Sequence, residues 1–521
     1  MSIQHQLAEI THNMRLSVAK QRRGWFNAVS REARFNLLLA VLCLIAAGVL
    51  LYLMEDLEGK PLRMAIGFVA GLLAFVLVAR APDSLIGVVL ILNATIFGFG
   101  AFSSMMLKFN VFETQEVVLA ALLVFAFWEH LRQGKQERAS GDAVFVSVLL
   151  FYLVVLAQIF RSQFLLNRDW VYTWDQYGKM CHYLLLLPMI IYLRNPERLR
   201  AFLWVLFIGA GVAACQTYYF FFFGAGGWGH LFGLVDVSAR GAGLAVRLPS
   251  SMLMVAMTLV CFALYLHLDD EKKKRLYLLA MLAFMLAVGM NKGRNAYVGV
   301  LIGLATLWLF APRQARWRAF KDAFWLTAIF FAAAVVIPPL GDKVMHVGEQ
   351  IGIRFIQTFD PYEYEEGGYR DRMREVEQAL PRFYEHPILG QGPGEYLRRT
   401  YEETPLGAHK IVYQPYMHNS YVYILATGGL LTAGVLLGMF VVWIVTNLRR
   451  VRRLRNPYAR GFVWGFVAYM LAMLASSWVQ PNFFLGPPIT TVVVVAGLAE
   501  ASARRDLEEQ ARIRTEASEA A

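Results

Sequence analysis

Residues 417–446 read MHNSYVYILATGGLLTAGVLLGMFVVWIVT. A titratable imidazole, His418, stands where a long polar segment ends and an apolar run begins. The run carries no Asp, Glu, Lys or Arg and exceeds the roughly 20 residues that cross about 30 Å of hydrocarbon, which predicts a membrane helix with His418 at its mouth. An imidazole there is suited to accept a proton from a substrate held at the membrane surface. The competing reading is a polar residue satisfied at the interface and nothing more.

Composition places the rest of the chain in the same setting. Of 521 residues, 57% are hydrophobic and 17% charged, and the mean hydropathy is +0.46. Those values exceed what a soluble chain of this length carries. The fold class expected is all-α, a polytopic integral membrane protein of about 14 transmembrane helices, with 12–14 the working range because short or kinked spans are miscounted by hydropathy. Apolar stretches fall at 36–54, 64–78, 85–102, 117–128, 143–160, 183–193, 201–223, 250–267, 276–290, 297–310, 323–340, 419–446, 462–478 and 484–498. Residues 1–35 lack the pattern of a cleavable signal and read as a cytosolic basic segment, either an amphipathic helix lying on an anionic leaflet or a solvated tail. The remaining units expected are a helical bundle at 36–340, a large periplasmic loop at 341–417, C-terminal transmembrane helices at 418–499 and a cytosolic tail at 500–521. Cys43, Cys181, Cys215 and Cys261 lie in or beside apolar runs and read as structural thiols.

Basic residues gather in alternate loops when the spans are counted from a cytosolic N-terminus. One side collects Arg132, Lys135 and Arg138, then Arg194, Arg198 and Arg200, Lys272 to Arg275, Arg313 to Lys321, and the run Arg449 to Arg455. That is the signature of cytosolic loops, so both termini are placed in the cytoplasm. The net charge of +12 is thereby a topology signal, and nucleic acid is not needed as a partner.

The opposite side holds the segment between Gly341 and Met417, far longer than an ordinary connection and too rich in Tyr, Phe, Ile and Leu to be disordered. Within it, residues 369–384 have helical periodicity, with Arg372, Val376, Leu380 and Phe383 on one face. Arg370, Arg372 and Arg374 crowd together there. They either pair with carboxylates such as Glu375 and Glu377 or release a guanidinium to clamp a phosphate. Arg240, Arg247 and Arg294 lie on the same side. Arg294, in Asn291-Lys292-Gly293-Arg294-Asn295-Ala296, opens a span where free amides already favour an anion; an interfacial anchor is the alternative. The stretch from His386 to Tyr396, HPILGQGPGEY, has neither GxGxxG nor P-loop spacing, and reads as a tight turn after the amphipathic helix.

Four motifs in this order resemble the O-antigen ligase and Wzy-type polymerase superfamily, GT-C-like membrane glycosyltransferases. They are Gly293-Arg294-Asn295-Ala296 at a helix start, Tyr369-Arg370-Asp371-Arg372 leading into an amphipathic helix, the segment His386 to Gly392, and His418-Asn419 followed by Gly429 and Thr432. The last pattern is similar to the ligase signature; the others are shared with polymerases. Arg372 is the favoured match among the three clustered arginines, because Val376 and Leu380 follow at the expected offsets.

The resemblance implies transfer of a glycan from undecaprenyl pyrophosphate to an acceptor hydroxyl at the periplasmic face of the bacterial inner membrane. The acceptor implied is lipid A core for a ligase, or another lipid-linked glycan for an O-antigen or exopolysaccharide polymerase. His418 would be the catalytic base, Asn419 its support or a helix cap, and Arg294, Arg372, Arg370, Arg240 and Arg247 the candidates for holding pyrophosphate. No cofactor and no metal is implied, since cationic side chains take the ion's place. The pair Glu55 and Asp56 in the first outer loop keeps a metal-dependent reading open, beside an ordinary acidic turn. A transporter or flippase for lipid-linked glycans is the alternative of another class; it predicts internal repeats and ionisable residues inside the spans, and neither stands out.

Overall fold

Val492 to Ala499 have apolar or small side chains in every direction around a helix, so no face of that segment can be left toward water. In the computed structural model this segment is buried all round and belongs to the last helix of a bundle. Residues 83–93, 95, 108–109, 112–132, 142–223, 236–239, 244–247, 250–291, 293–336, 348–349, 352–353, 368–395, 398–403, 409–414 and 417–520 are described. The basic N-terminal segment, the first two apolar stretches, Glu55, Asp56 and Arg240 lie outside them.

The described chain begins with α1 (Ser84–Leu92), a short hairpin of β1 (Lys108–Phe109) and β2 (Phe112–Glu113), α2 (Thr114–Arg132) and α3 (Ala143–Phe160). A π-helical turn at Arg161–Leu165 extends α3, and α4 (Trp170–Tyr177), a 3-10 stretch at Gly178–Leu185 and α5 (Leu186–Tyr192) follow. Then come α6 (Pro196–Phe223), the hairpin of β3 (Asp236–Ala239) and β4 (Leu244–Arg247), α7 (Ser251–His267), α8 (Glu271–Asn291), α9 (Arg294–Phe310) and α10 (Arg313–Val336). Last are α11 (Gly368–Glu385), the hairpin of β5 (Arg398–Glu403) and β6 (His409–Gln414), α12 (Ser420–Val451), α13 (Pro457–Ser476) and α14 (Gly486–Ala520).

The protein is a polytopic helical membrane protein, as the composition requires. Among the described residues six helices are long and apolar enough to cross a membrane, and α7 and α9 are shorter apolar helices. Three features add to or differ from the sequence reading. The helical class holds, and the described residues add three two-stranded antiparallel hairpins, each a local pairing that leaves no hydropathy signature. Residues 161–182, expected as an outer loop, are largely helical, because polar residues there pair with neighbouring elements instead of water. Within the apolar run expected at 85–102 the first helix ends at Leu92, where the Asn93 side chain donates back to the Val89 carbonyl, and residues 96–102 lie outside the described residues.

Lipid supplies no hydrophobic drive for one helix to prefer another, so close packing and polar pairs decide the arrangement. Helices α7 and α13 meet along small residues: a Cβ on Gly465 would lie 3.0 Å from the Val260 Cα, and one on Gly461 would lie 3.1 Å from the Leu264 Cα. Helix α12 packs on α3, α11 and α13, while α14 runs against α5, α13 and the 3-10 stretch. At the end of α12 remote from His418, Arg450 pairs with Asp142 at 2.6 Å and with Glu500, and Arg504 reaches Asp142 at 3.0 Å and Glu500 at 3.1 Å. These four residues knot together α12, α14 and the start of α3, which Asp142 also caps through the Val144 amide. They also carry α14 unbroken past residue 499.

Candidate active site

Asn419 sets the position of His418 by ending the chain's extended approach and starting a helix. Its backbone is extended and its Oδ1 accepts from the amides of Tyr421 at 3.0 Å and Val422 at 3.1 Å, the arrangement of a helix N-cap. Ser420 fixes the same turn from the other side: its amide donates to the Ser477 carbonyl and its hydroxyl to the Gln480 carbonyl. Met417 is fully buried. His418 therefore hangs from a backbone tied on both flanks, just outside the first turn of α12.

The partner of His418 is Glu375, on α11. Its Oε2 accepts the His418 amide at 2.8 Å, and its Oε1 lies 2.9 Å from His418 Nδ1. Glu375 is buried, at 2% exposure, whereas the His418 side chain keeps 31%. An ionised carboxylate only accepts, so with Glu375 ionised and the imidazole neutral Nδ1 donates and Nε2 keeps its lone pair. The carboxylate also sits at the N-terminus of α12, where the helix dipole favours negative charge. This is the arrangement of a base oriented by an acid.

Sequence reasoning passed over Glu375. Its only signal was a position three residues after Arg372, and on a helix alternating Arg with Glu that looks like a solvated ion pair. The buried stripe of α11 runs through Glu375 and Ala379, with Val376 packed beside it; Arg372, Leu380 and Phe383 are half-buried on its flanks. The face expected from the apolar residues alone is thus rotated toward the carboxylate.

Residues 386–395 turn the chain directly after α11, as expected. Beyond that turn they enter a break in α12 and complete it. At Gly429 the backbone takes φ 66° and ψ −171°, so the helical ladder is interrupted inside the span. An interrupted ladder leaves amides and carbonyls unpaired, which a membrane helix tolerates only where other protein supplies the partners. Here the Gln391 and Gly392 amides donate to the Ala426 and Thr427 carbonyls at 2.9 and 2.8 Å, while the Leu430 and Leu431 amides donate to the Pro387 and Ile388 carbonyls at 2.9 and 3.0 Å. The approach demands glycine on both chains. A Cβ on Gly390, itself at φ 64°, would fall 2.5 Å from the Thr427 carbonyl, and one on Gly429 would collide with the Ile388 carbonyl. Thr432 accepts from Gln158 Nε2 at 3.2 Å. The break at Gly429 is in this way a receptor for the segment His386 to Gly392, and Thr432 is joined to it through Gln158, whose Nε2 also reaches the Leu389 carbonyl.

The other site candidates are placed by their backbones. Arg294 is the first residue of α9, with Gly293 as N-cap. Arg370 lies in the first turn of α11, and Arg247 ends β4 in register with Asp236; β4 lies beside α6 and α8. Of the candidates, the described contacts unite His418 and Asn419 with Glu375 and with the helix that carries Arg370 and Arg372. Among the described residues no group of three or more His, Cys, Asp or Glu is placed to hold a metal ion.

A polytopic helical bundle with a carboxylate-oriented imidazole at the mouth of a span is the class of protein the structure defines. Residues 276–437 carry the domain described as O-antigen ligase, by match to that family's model. The matched region runs from α8 through Arg294, α11, the inserted segment and His418 to just beyond Thr432, so the resemblance drawn from the four motifs holds there. No match is found among curated proteins.

Proposed function

We propose that the protein transfers a glycan from undecaprenyl pyrophosphate to an acceptor hydroxyl at the periplasmic face of the bacterial inner membrane, as an O-antigen ligase acting on lipid A core. The observation that carries this reading is the His418–Glu375 pair inside the matched family region. The acceptor oxygen attacks the anomeric carbon, His418 Nε2 takes the hydroxyl proton, and the bond from the anomeric carbon to the pyrophosphate oxygen breaks with its electrons leaving on pyrophosphate. Glu375 holds the imidazole through Nδ1 and balances its charge once protonated. Arg294 and Arg372, with Arg370, Arg247 and Arg240 as further candidates, stabilise the negative charge that accumulates on the leaving group. These cations do what a metal does in other lipid-linked glycosyltransferases, so the reaction is expected to proceed in EDTA.

Purified protein supplied with a lipid-linked repeat, with and without core lipid, tests the proposal. Transfer that requires core lipid supports the ligase; polymer growth without it assigns the protein to the polymerases instead. Undiminished transfer by His418→Ala would remove the base role. Movement of the donor across vesicle membranes with no transfer product would point to a flippase.

A further inference from the structure

We infer that Arg161 and Gln158 are positioning residues for the His418–Glu375 pair, acting through the segment 386–395. The inference rests on the catalytic reading of that pair, and adds two residues that lie outside the matched family region and outside every candidate set above. Arg161 stands at the junction of α3 with the π-helical turn. Its Nη1 donates to the Leu389 carbonyl at 2.8 Å and to Gln158 Oε1 at 3.1 Å, and its Nη2 donates to the Gly390 carbonyl at 2.9 Å. Gln158 Nε2 in turn reaches the Leu389 carbonyl at 3.2 Å, the Gly428 carbonyl at 3.3 Å and Thr432 Oγ1 at 3.2 Å. One amide and one guanidinium therefore bridge three pieces of chain at the helix break.

The consequence reaches His418 because the segment continues α11. The Gly390 amide donates to the His386 carbonyl, and the His386 amide to the carbonyls at the end of α11. Helix α11 is thus attached to α12 at two levels, through Glu375 to His418 and through 387–392 to the break at Gly429. Two attachments fix both the height and the rotation of α11, and so the aim of Glu375 at Nδ1. Arg161 holds the second attachment against α3, which itself packs along α12. Three of the five N–H donors of the guanidinium are engaged by Gln158, Leu389 and Gly390. The far end of the segment is held similarly: Gln176 accepts from the Gly394 amide and donates to the Glu395 carbonyl, and Arg168 pairs with Glu395 at 2.6 Å.

The test uses the full-length protein with spin labels introduced as unnatural amino acids at the exposed positions Glu377 on α11 and Val441 on α12. Wild-type protein is expected to give one narrow distance distribution, and Arg161→Ala a broadened one. In the transfer assay Arg161→Ala is expected to lower kcat by at least about tenfold with donor KM within about twofold, since loss of aim slows chemistry more than binding. Arg161→Lys, which keeps the charge and part of the donor capacity, should fall between; if the alanine variant does not fold, the lysine variant decides. Wild-type width and kcat in the variant that folds overturn the inference, as does a fall in kcat with the distribution still narrow. His418→Ala measured in parallel separates the two claims: full activity there removes the catalytic role of the pair, while the distance distributions still report on the clamp.

Discussion

Glu375 is a carboxylate withdrawn from water, a placement that costs several kcal/mol unless the group is hydrogen-bonded and electrostatically compensated. It is held by the His418 amide and imidazole, and that is a reason to expect function in the pair. Glu375→Gln keeps an acceptor for one donor but loses the charge. It should lower kcat by about 10- to 100-fold, part of the roughly 100- to 10,000-fold that a general base supplies, with donor KM little changed; steady-state transfer kinetics measure both. Glu116, at the head of α2, gives a pH-dependent counterpart. Burial pushes its carboxyl up to about 6, against the opposing donation from the Trp174 indole and the Glu113 amide. Between pH 4.5 and about 6 the folded protein keeps a proton that the unfolded chain releases, so stability contributed at Glu116 declines as pH rises through that window and stays low above it. Glu116→Gln, which still offers an oxygen to both donors, should remove that decline and raise stability at pH 7 by about 1–2 kcal/mol, read from thermal melts at pH 4.5 and 7. His418 and Asn419 were legible because a titratable residue and a cap residue stand at a sharp hydropathy boundary. Glu375 was not, because its burial depends on an element brought from elsewhere in the chain.

Among the elements, α12 carries the sharpest structural demand. The conformation at Gly429 lies in a region open essentially to glycine alone, and a side chain there would also strike the inserted segment. Gly429→Ala should therefore lower the melting temperature and transfer activity together, by more than about 3 kcal/mol in stability. Gly438→Ala on the same helix is the control: a Cβ there meets nothing within 4 Å, so stability should change by less than about 0.5 kcal/mol. The amphipathic helix α11, spanning Gly368–Glu385 against the 369–384 read from periodicity, was legible because helical period is written in side chains. The docking of 386–395 was not, because its four bonds to α12 join backbone atoms, and a backbone amide is the same for every residue that has one. The glycines at 390, 392 and 429 were the only trace, and glycine in an apolar run reads equally well as a helix-packing contact.

For the molecule as a whole, the two ends of α12 do different work. One end presents His418; the other, about 45 Å away along a helix of this length, anchors the buried cluster of Asp142, Arg450, Glu500 and Arg504. Glu500 is 1% exposed and accepts from Arg450, Arg504 and Asn447. Removing one member of such a cluster strands the others, so Glu500→Ala should destabilise the protein by about 3–5 kcal/mol. Thermal denaturation in detergent measures it, and kcat at temperatures below the lowered melting point should stay near wild type because the site is remote. Hydropathy made the helices legible across most of the described chain. It could not anticipate that α14 would continue to Ala520, since that extension rests on charges that resemble a solvated tail when read in one dimension.

The gap in α12 also imposes an order on biosynthesis. The segment 386–395 leaves the ribosome before Gly429, so the piece that completes the span is made ahead of the span that needs it. Around the kink at Gly429 the amides of Leu430 and Leu431 and the carbonyls of Ala426 and Thr427 are bonded to residues 387–392. One step of assembly is therefore the seating of an already translated loop into a nascent helix, and a chain deleted for 386–395 should insert α12 poorly however apolar its remaining sequence.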